Sequence, residues 1–154
     1  MAVIDEVYLG NPLLKKANVQ QEFTQEQILE FMACKADPVY FAKQHVKIVS
    51  LDEGLVPFEP YDFQERLIQN FHENRFNICK MPRQTGKSTT SVSYLLHYAV
   101  FNDNVNIGIL ANKAATARDL LGRLQTAYEN LPKWMQQGII SWNKGSLELE
   151  NGSK

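Results

Sequence analysis

The chain has 154 residues, about the length of one ordinary domain, and 44% of them are hydrophobic against 21% charged, which argues against wholesale disorder. No apolar run approaches the roughly 18 residues of a membrane-spanning helix, and the first six residues lack the basic and apolar regions of a secretory signal. The formal net charge of −1 neither indicates nor excludes a nucleic-acid partner.

The cysteine and histidine positions predict no zinc site. Cys34 and Cys79 lie far apart in the sequence, with no second Cys or paired His nearby. We therefore expect both thiols to be small core or half-buried side chains, in a reduced, cytoplasmic protein.

The first part of the chain is predicted to be mainly helical, up to a boundary near residue 54. Residues 1–20 predict an arm or a short helix. Thr24 and Gln27 have the spacing of a capping box at a helix start, and Asp37 followed by Pro38 predicts a second helix, over about 37–45. Residues 46–49 alternate like a short strand. We therefore predict an N-terminal helical arm or subdomain (1–54) and a second domain (55–154).

The second domain alternates helix and strand. The predicted elements are a helix over 61–75, a strand over 75–81, a helix from 87 to about 100, a strand over 105–111, a helix over 114–129 and a β-hairpin over 139–150. This order is typical of an α/β fold with a parallel sheet.

The loop between the first of these strands and its helix carries the candidate chemistry. A phosphate-binding P-loop typically follows a strand and leads through Gly-Lys-Ser into a helix, which is the order predicted around Gly86-Lys87-Ser88. The N–H groups at such a helix start bind anions. Lys87 would place a cation between the terminal phosphates, and the Ser88 hydroxyl is a suitable Mg²⁺ ligand. Met81 stands where the full pattern has its first glycine, and a surface turn that caps a helix is the competing interpretation.

Two other side chains have the chemistry of a nucleotide site. Gln64, 23 residues before Lys87, can offer a donor and an acceptor to the edge of adenine, although an exposed amide at a helix start is the plainer interpretation. Arg83 lies within the loop, where a guanidinium could stabilise charge on a γ-phosphate or could simply point into solvent.

Several blocks, in order, closely resemble the large terminase subunit of tailed phages, the DNA-packaging motor, in its myovirus-type lineage. They cover most of residues 37–154 and comprise Asp-Pro-Val-Tyr-Phe at 37–41, Phe-Gln at 63–64, Arg-Gln-Thr-Gly-Lys-Ser-Thr at 83–89, Ile-Gly-Ile-Leu-Ala-Asn-Lys at 107–113, and the blocks 138–140, 142–146 and 149–153. The family tolerates a residue other than glycine at the position of Met81.

The resemblance implies a RecA-like P-loop ATPase that uses ATP and Mg²⁺ to drive double-stranded DNA into an empty procapsid. It implies that Lys87 and Ser88 hold the nucleotide and Mg²⁺, and that Arg83 acts in cis on the γ-phosphate. The remaining nucleotide-binding positions that it implies are Phe63 and Gln64 at the adenine, and Gln84, Thr85, Gly86 and Thr89 in the loop.

The same resemblance implies partners and a location. The partners are the portal protein, the small terminase subunit and, in the full-length protein, further copies of the chain in a ring. The location is the host cytoplasm, at the procapsid portal, with no membrane.

Hydrolysis in this family also needs an Asp-Glu pair at the end of a later apolar strand. No such strand occurs, since the Asp-Glu pairs at 5–6 and 52–53 precede the loop. The sequence therefore predicts a truncated chain without the Walker B strand, the coupling motif and the C-terminal nuclease domain. We expect such a chain to bind ATP weakly at best and not to hydrolyse it.

Two other classes of function remain open at the level of sequence. A helicase-like translocase would share the P-loop and the upstream glutamine. A non-catalytic docking module would bind a partner through residues 1–54, with an incidental Gly-Lys-Ser. Direct DNA binding by Lys113, Arg118 and Arg123 on the long helix is the weakest alternative, because such residues more often form a solvated face.

Overall fold

The computed structural model describes residues 6–50 and 52–154. Over these residues it is a mixed α/β structure with five helices and six short strands. The helices are α1 (Gln25–Ala36), α2 (Pro38–His45), α3 (Asp62–Glu73), α4 (Lys87–Phe101) and α5 (Ala114–Glu129). The strands are β1 (Val7–Tyr8), β2 (Asn11–Lys15), β3 (Lys47–Ser50), β4 (Gly54–Pro57), β5 (Ile139–Trp142) and β6 (Leu147–Leu149).

The strands form three separate antiparallel pairs, β1–β2, β3–β4 and β5–β6. The first pair corrects the prediction of an arm or short helix over residues 1–20. Residues 1–5 of that prediction lie outside the described residues. The turn that joins β1 to β2 has Leu9 and Gly10 in the left-handed region of φ. The second pair confirms the strand predicted at 46–49 and adds a partner, β4. The third pair confirms the predicted hairpin.

The predicted parallel sheet is not present among the described residues. The strands predicted over 75–81 and 105–111 were wrong as paired strands, because both segments lack a regular ladder. The side chains of Phe76, Ile78 and Leu110 are 83%, 101% and 92% exposed. A strand exists only where a neighbouring backbone accepts its hydrogen bonds, and these segments have no adjacent strand in the described structure.

One end of the second segment does make strand-like hydrogen bonds. The N–H of Lys154 donates to the carbonyl of Val105 at 2.9 Å, and the N–H of Ile107 donates to the carbonyl of Lys154 at 2.7 Å. Two such bonds, on either side of Asn106, have the pattern of a parallel ladder.

The five helices predicted from residue 24 onward are confirmed, with starts within one residue of those predicted. Thr24 accepts a hydrogen bond from the N–H of Gln27, whose side chain accepts one in return from the N–H of Thr24, which is a capping box. Asp37 accepts from the first N–H groups of α2, with Pro38 at the first helical position.

The core lies where α1, α2 and α4 meet and continues under α5. Phe41, His97 and Phe101 form an edge-to-face aromatic cluster, with Phe41 5.5 Å from His97 and 5.3 Å from Phe101 between ring centroids. Tyr128 of α5 is buried, and its hydroxyl donates to the carbonyl of Gln137. Cys34 is buried, as expected, whereas Cys79 is exposed because it lies on the unpaired segment 75–81.

None of the helices formed by the described residues is both long and apolar enough to cross a membrane. The elements that matter for the candidate site are α3, the start of α4 and the β3–β4 hairpin. Helix α3 packs directly against α4. The hairpin lies nearby because β4 contacts α2, which itself packs against α4.

Candidate functional site

The loop before α4 is a tight turn with two residues in the left-handed region of φ. Gly86 has φ +72° and Gln84 has φ +62°, both in the left-handed region, which glycine adopts without strain. The hydroxyl of Thr85 donates to the carbonyl of Pro82 at 3.1 Å and closes the turn. Helix α4 begins at Lys87, and no side chain from the described part of the chain caps it. Its first N–H groups are therefore open to an external acceptor.

Lys87 and Ser88 lie at this helix start. The ammonium of Lys87 donates to the carbonyl of Pro82, so its charge lies against the loop at an exposed contact. Ser88 is exposed, and its hydroxyl is accessible. Thr90 faces the opposite way: it is fully buried, and its hydroxyl donates to the carbonyl of Gly86 at 3.0 Å. The loop thus has a cation and an exposed serine on the same turn.

Gln64 joins α3 to this loop. Its side chain is only 4% exposed. Its Oε1 accepts from the N–H of Tyr61 at 2.9 Å, and its Nε2 donates to the carbonyl of Thr85 at 3.2 Å. A Cβ on Gly86 would overlap the Gln64 amide nitrogen. The structure therefore places Gln64 in contact with the loop. Gln64 is also buried, which contradicts the alternative interpretation of an exposed amide at a helix start.

A cavity of about 490 Å³ lies between this loop and the β3–β4 hairpin. This volume is within the range of ordinary ligand sites. Its lining includes Val56, Phe58, Tyr61, Gln64, Gly86 and Thr89. The lining is mixed, with Val56 and Phe58 apolar and Glu59 and the Gln64 amide polar.

Of the nine predicted site residues, Gln64, Gly86 and Thr89 line the cavity, and the other six do not: Phe63, Arg83, Gln84, Thr85, Lys87 and Ser88. The ring of Phe63 stacks on that of Tyr61 at 5.8 Å between centroids, with 10° between planes, but only Tyr61 lines the cavity. Arg83 is exposed, and no ion pair is found for it within the described residues. Its action on a γ-phosphate remains a prediction.

Sequence reasoning set Glu53 aside because it precedes the loop, yet the structure places it in the lining of this cavity. The β3–β4 hairpin turns the chain back at Gly54, whose φ is +76°, and so carries Glu53 to the cavity. No local pattern could have found this, because the position depends on how the hairpin packs against the residues before α3.

A second polar cluster lies on α1 and α2, away from the loop in sequence. Nε2 of His45 is 2.8 Å from Oε1 of Glu30, Sγ of Cys34 donates to the same oxygen at 3.6 Å, and the Tyr40 hydroxyl donates to Oε2 at 3.0 Å. The hydrogen bond from His45 lowers the pKa of Glu30, and burial raises the pKa of the Cys34 thiol to about 12.

Glu30, Cys34 and His45 are the types of residue that hold a metal, and their ligand atoms lie within 4.8 Å of one another. The sequence predicted no such grouping, since the i, i+4 spacing of Glu30 and Cys34 does not reveal that His45 joins them. The hydrogen bonds account for the geometry in full, because each donor atom already has the carboxylate of Glu30 as its partner.

No protein-family model matches the chain. The fold and the site define a mixed α/β protein with a candidate phosphate-binding loop at the start of a helix.

Proposed function

We propose that the chain is the nucleotide-binding part of a P-loop ATPase of the large-terminase kind, which binds ATP with Mg²⁺ to power the packaging of double-stranded DNA. One observation carries the proposal: left-handed Gly86 directly precedes Lys87 at the uncapped start of α4, with the 490 Å³ cavity beside it. A surface turn that merely caps a helix needs neither the buried Gln64 amide nor the cavity.

The residues of the loop fit ATP and Mg²⁺. The N–H groups that start α4 have no partner within that helix, and such groups at a helix start bind anions. Lys87 would bind the terminal phosphates, and the accessible hydroxyl of Ser88 would hold Mg²⁺. Bound ATP supplies a phosphoanhydride bond, and the role of these residues is to bind and orient it.

The finer fold that we propose is the RecA-like parallel sheet. The hydrogen bonds of Lys154 to Val105 and Ile107 support it, because they have the parallel pattern. A gap of about 710 Å³ supports it as well: Arg75 and Asn77 of the segment 75–81 and Ile107 of the segment 105–111 line the gap. Tyr94 and Leu95 of α4 complete its lining. Further strands between the two segments would pair their backbones and cover their exposed apolar side chains.

The partners and location that we propose follow from the same resemblance. They are double-stranded DNA, the portal protein, the small terminase subunit and copies of the chain in a ring, at the procapsid portal in the host cytoplasm. Arg83 is the residue that we propose for the γ-phosphate, since it is exposed on the loop and free to reach a bound nucleotide.

A thermal melt of the chain with and without Mg-ATP tests the proposal. At an ATP concentration ten times the Kd, binding adds about 1.4 kcal/mol to the free energy of unfolding, which raises the Tm of a chain of this size by a few degrees. We expect this shift in the wild type, its loss in Lys87→Ala and its retention in Lys144→Ala, an exposed lysine in the β5–β6 turn.

A shift that persists in Lys87→Ala, or no shift in the wild type at millimolar Mg-ATP, would contradict the proposal. The second outcome would favour the docking module instead. The observation that supports that alternative is the outer face of α1, where Ile28, Leu29 and Met32 are 48%, 61% and 62% exposed.

A further inference from the structure

The side-chain amide of Gln64 connects two parts of the proposed nucleotide site. One part is the cavity beside the β3–β4 hairpin, and the other is the loop at the start of α4, which adjoins this cavity at Gly86. Oε1 of Gln64 bonds to the N–H of Tyr61 on the cavity side, and Nε2 bonds to the carbonyl of Thr85 in the loop.

The orientation of this amide is fixed. Turning it over would place Oε1 against the Thr85 carbonyl and Nε2 against the Tyr61 N–H, so two attractive contacts would become repulsive. Because Gln64 is almost fully buried, water cannot replace either partner, and an unmade hydrogen bond there is costly. One N–H and one acceptor lone pair of the amide remain for a ligand.

The contact with Thr85 orients a loop N–H. The carbonyl of Thr85 and the N–H of Gly86 belong to one planar peptide group, in which they point in opposite directions. A bond that holds the carbonyl towards Gln64 therefore directs the Gly86 N–H away from Gln64. The absence of a Cβ at Gly86 makes this approach possible, because a Cβ would overlap the Gln64 amide.

We propose that Gln64 is a positioning residue of the phosphate-binding loop, which holds the Thr85–Gly86 peptide in the orientation that binds phosphate. The inference rests on the proposed function for the identity of the ligand. It differs from recognition of the base, because a positioning residue affects a ligand that has phosphates and no base.

Binding of inorganic tripolyphosphate with Mg²⁺, which has no base, separates the two roles. The proteins to compare with the wild type are Gln64→Met, which is neutral and of similar size, Lys87→Ala, and Gln69→Met, the same change at an exposed position of α3. We expect Gln64→Met to weaken tripolyphosphate and ATP alike, by roughly fivefold to tenfold, the worth of about one hydrogen bond. Gln69→Met should change neither affinity.

Hydrogen exchange without ligand supplies a readout that general destabilisation would not move. We expect the amides of Thr85, Gly86 and Lys87 to exchange faster in Gln64→Met, while those of the buried part of α5, around Tyr128, keep their wild-type rates. Gln64→Asn, whose shorter side chain cannot span Tyr61 and Thr85, gives the same test if Gln64→Met does not fold.

The outcomes separate the inference from the proposed function. Weakened ATP binding with unchanged tripolyphosphate binding, or unchanged exchange in the loop, overturns the positioning role and leaves a nucleotide site in place. The absence of Lys87-dependent binding of either ligand to the wild type overturns both.

Discussion

Phe41 and Ile78 both occur in apolar stretches that predict regular structure, yet Phe41 is fully buried and Ile78 is fully exposed. Phe41 lies on α2, whose backbone hydrogen bonds are made within the helix, so only its side chains need partners. Ile78 lies on the segment 75–81, where both the backbone and the side chains need a neighbouring strand. The comparison shows that Phe41 finds its partners within this chain, whereas Ile78 lacks the neighbouring strand that would pair its backbone and cover its side chain.

The same contrast explains the three hairpins. In each of them the partner strand follows after a short turn, so the chain can satisfy the strand locally. The segments 75–81 and 105–111 are each followed by a helix, and a parallel partner for them must come from a distant part of a chain.

The largest expected effect tests the buried side of this comparison. Phe41→Ala removes a ring that packs against His97 and Phe101, and we expect it to lower the free energy of unfolding by about 3–5 kcal/mol. Urea denaturation measures this. Ile78→Ala is the matched control on the exposed side and should change stability by no more than about 0.5 kcal/mol. A cost of 2 kcal/mol or more at Ile78, about four times that limit, would show that the segment is buried in solution.

The next effect depends on pH. Burial lowers the pKa of His97 to about 4, below the ordinary 6.5; the nearby charge of His72 also lowers it, while the hydrogen bond to the Cys34 carbonyl and the charge of Asp37 raise it. Between pH 4 and pH 6.5, His97 binds a proton in the unfolded chain but not in the folded chain. Stability therefore falls with falling pH, by about 2 kcal/mol from pH 7 to pH 5.

Urea denaturation at both pH values, for the wild type and for His97→Leu, checks this prediction. The variant lacks the titrating group, so the wild type should lose about 2 kcal/mol more than the variant over this range. Equal losses would mean that His97 titrates normally in the folded protein. The ring resonances of His97 in NMR spectra give its pKa directly.

The smallest expected effect concerns Asn151, which is distant in sequence from α4 but hydrogen-bonds to the end of that helix. The side-chain amide of Asn151 donates to the carbonyls of Ala99 and Asn102 at 2.9 and 3.1 Å and so satisfies the end of α4. We expect Asn151→Ala to cost about 1–2 kcal/mol, since it leaves those carbonyls without this donor. Asn112→Ala, at an exposed position, is the control. A cost no larger than that of the control would mean that water replaces the amide.

The sequence predicted well those elements whose cause lies in nearby residues. The capping pattern at Thr24 and Gln27, the Asp37-Pro38 start and the periodicity over 114–129 each led to a helix that the structure contains. The prediction of an arm or short helix over residues 1–20 was wrong, because residues 7–15 pair with each other as β1 and β2. Of the site, the sequence indicated Gln64, Gly86 and Lys87, and the structure brings them together.

The sequence by itself determined the helices, the caps at Thr24 and Asp37, the loop over 81–89 and the turn of the β5–β6 hairpin. These depend on local propensities and on hydrogen bonds between residues close in the chain. Only the tertiary structure decided that Gln64 is buried against Thr85, that Glu53 reaches the same cavity, and that 75–81 and 105–111 have no adjacent strand. Those outcomes depend on which distant backbones and side chains become neighbours, and no local pattern specifies that.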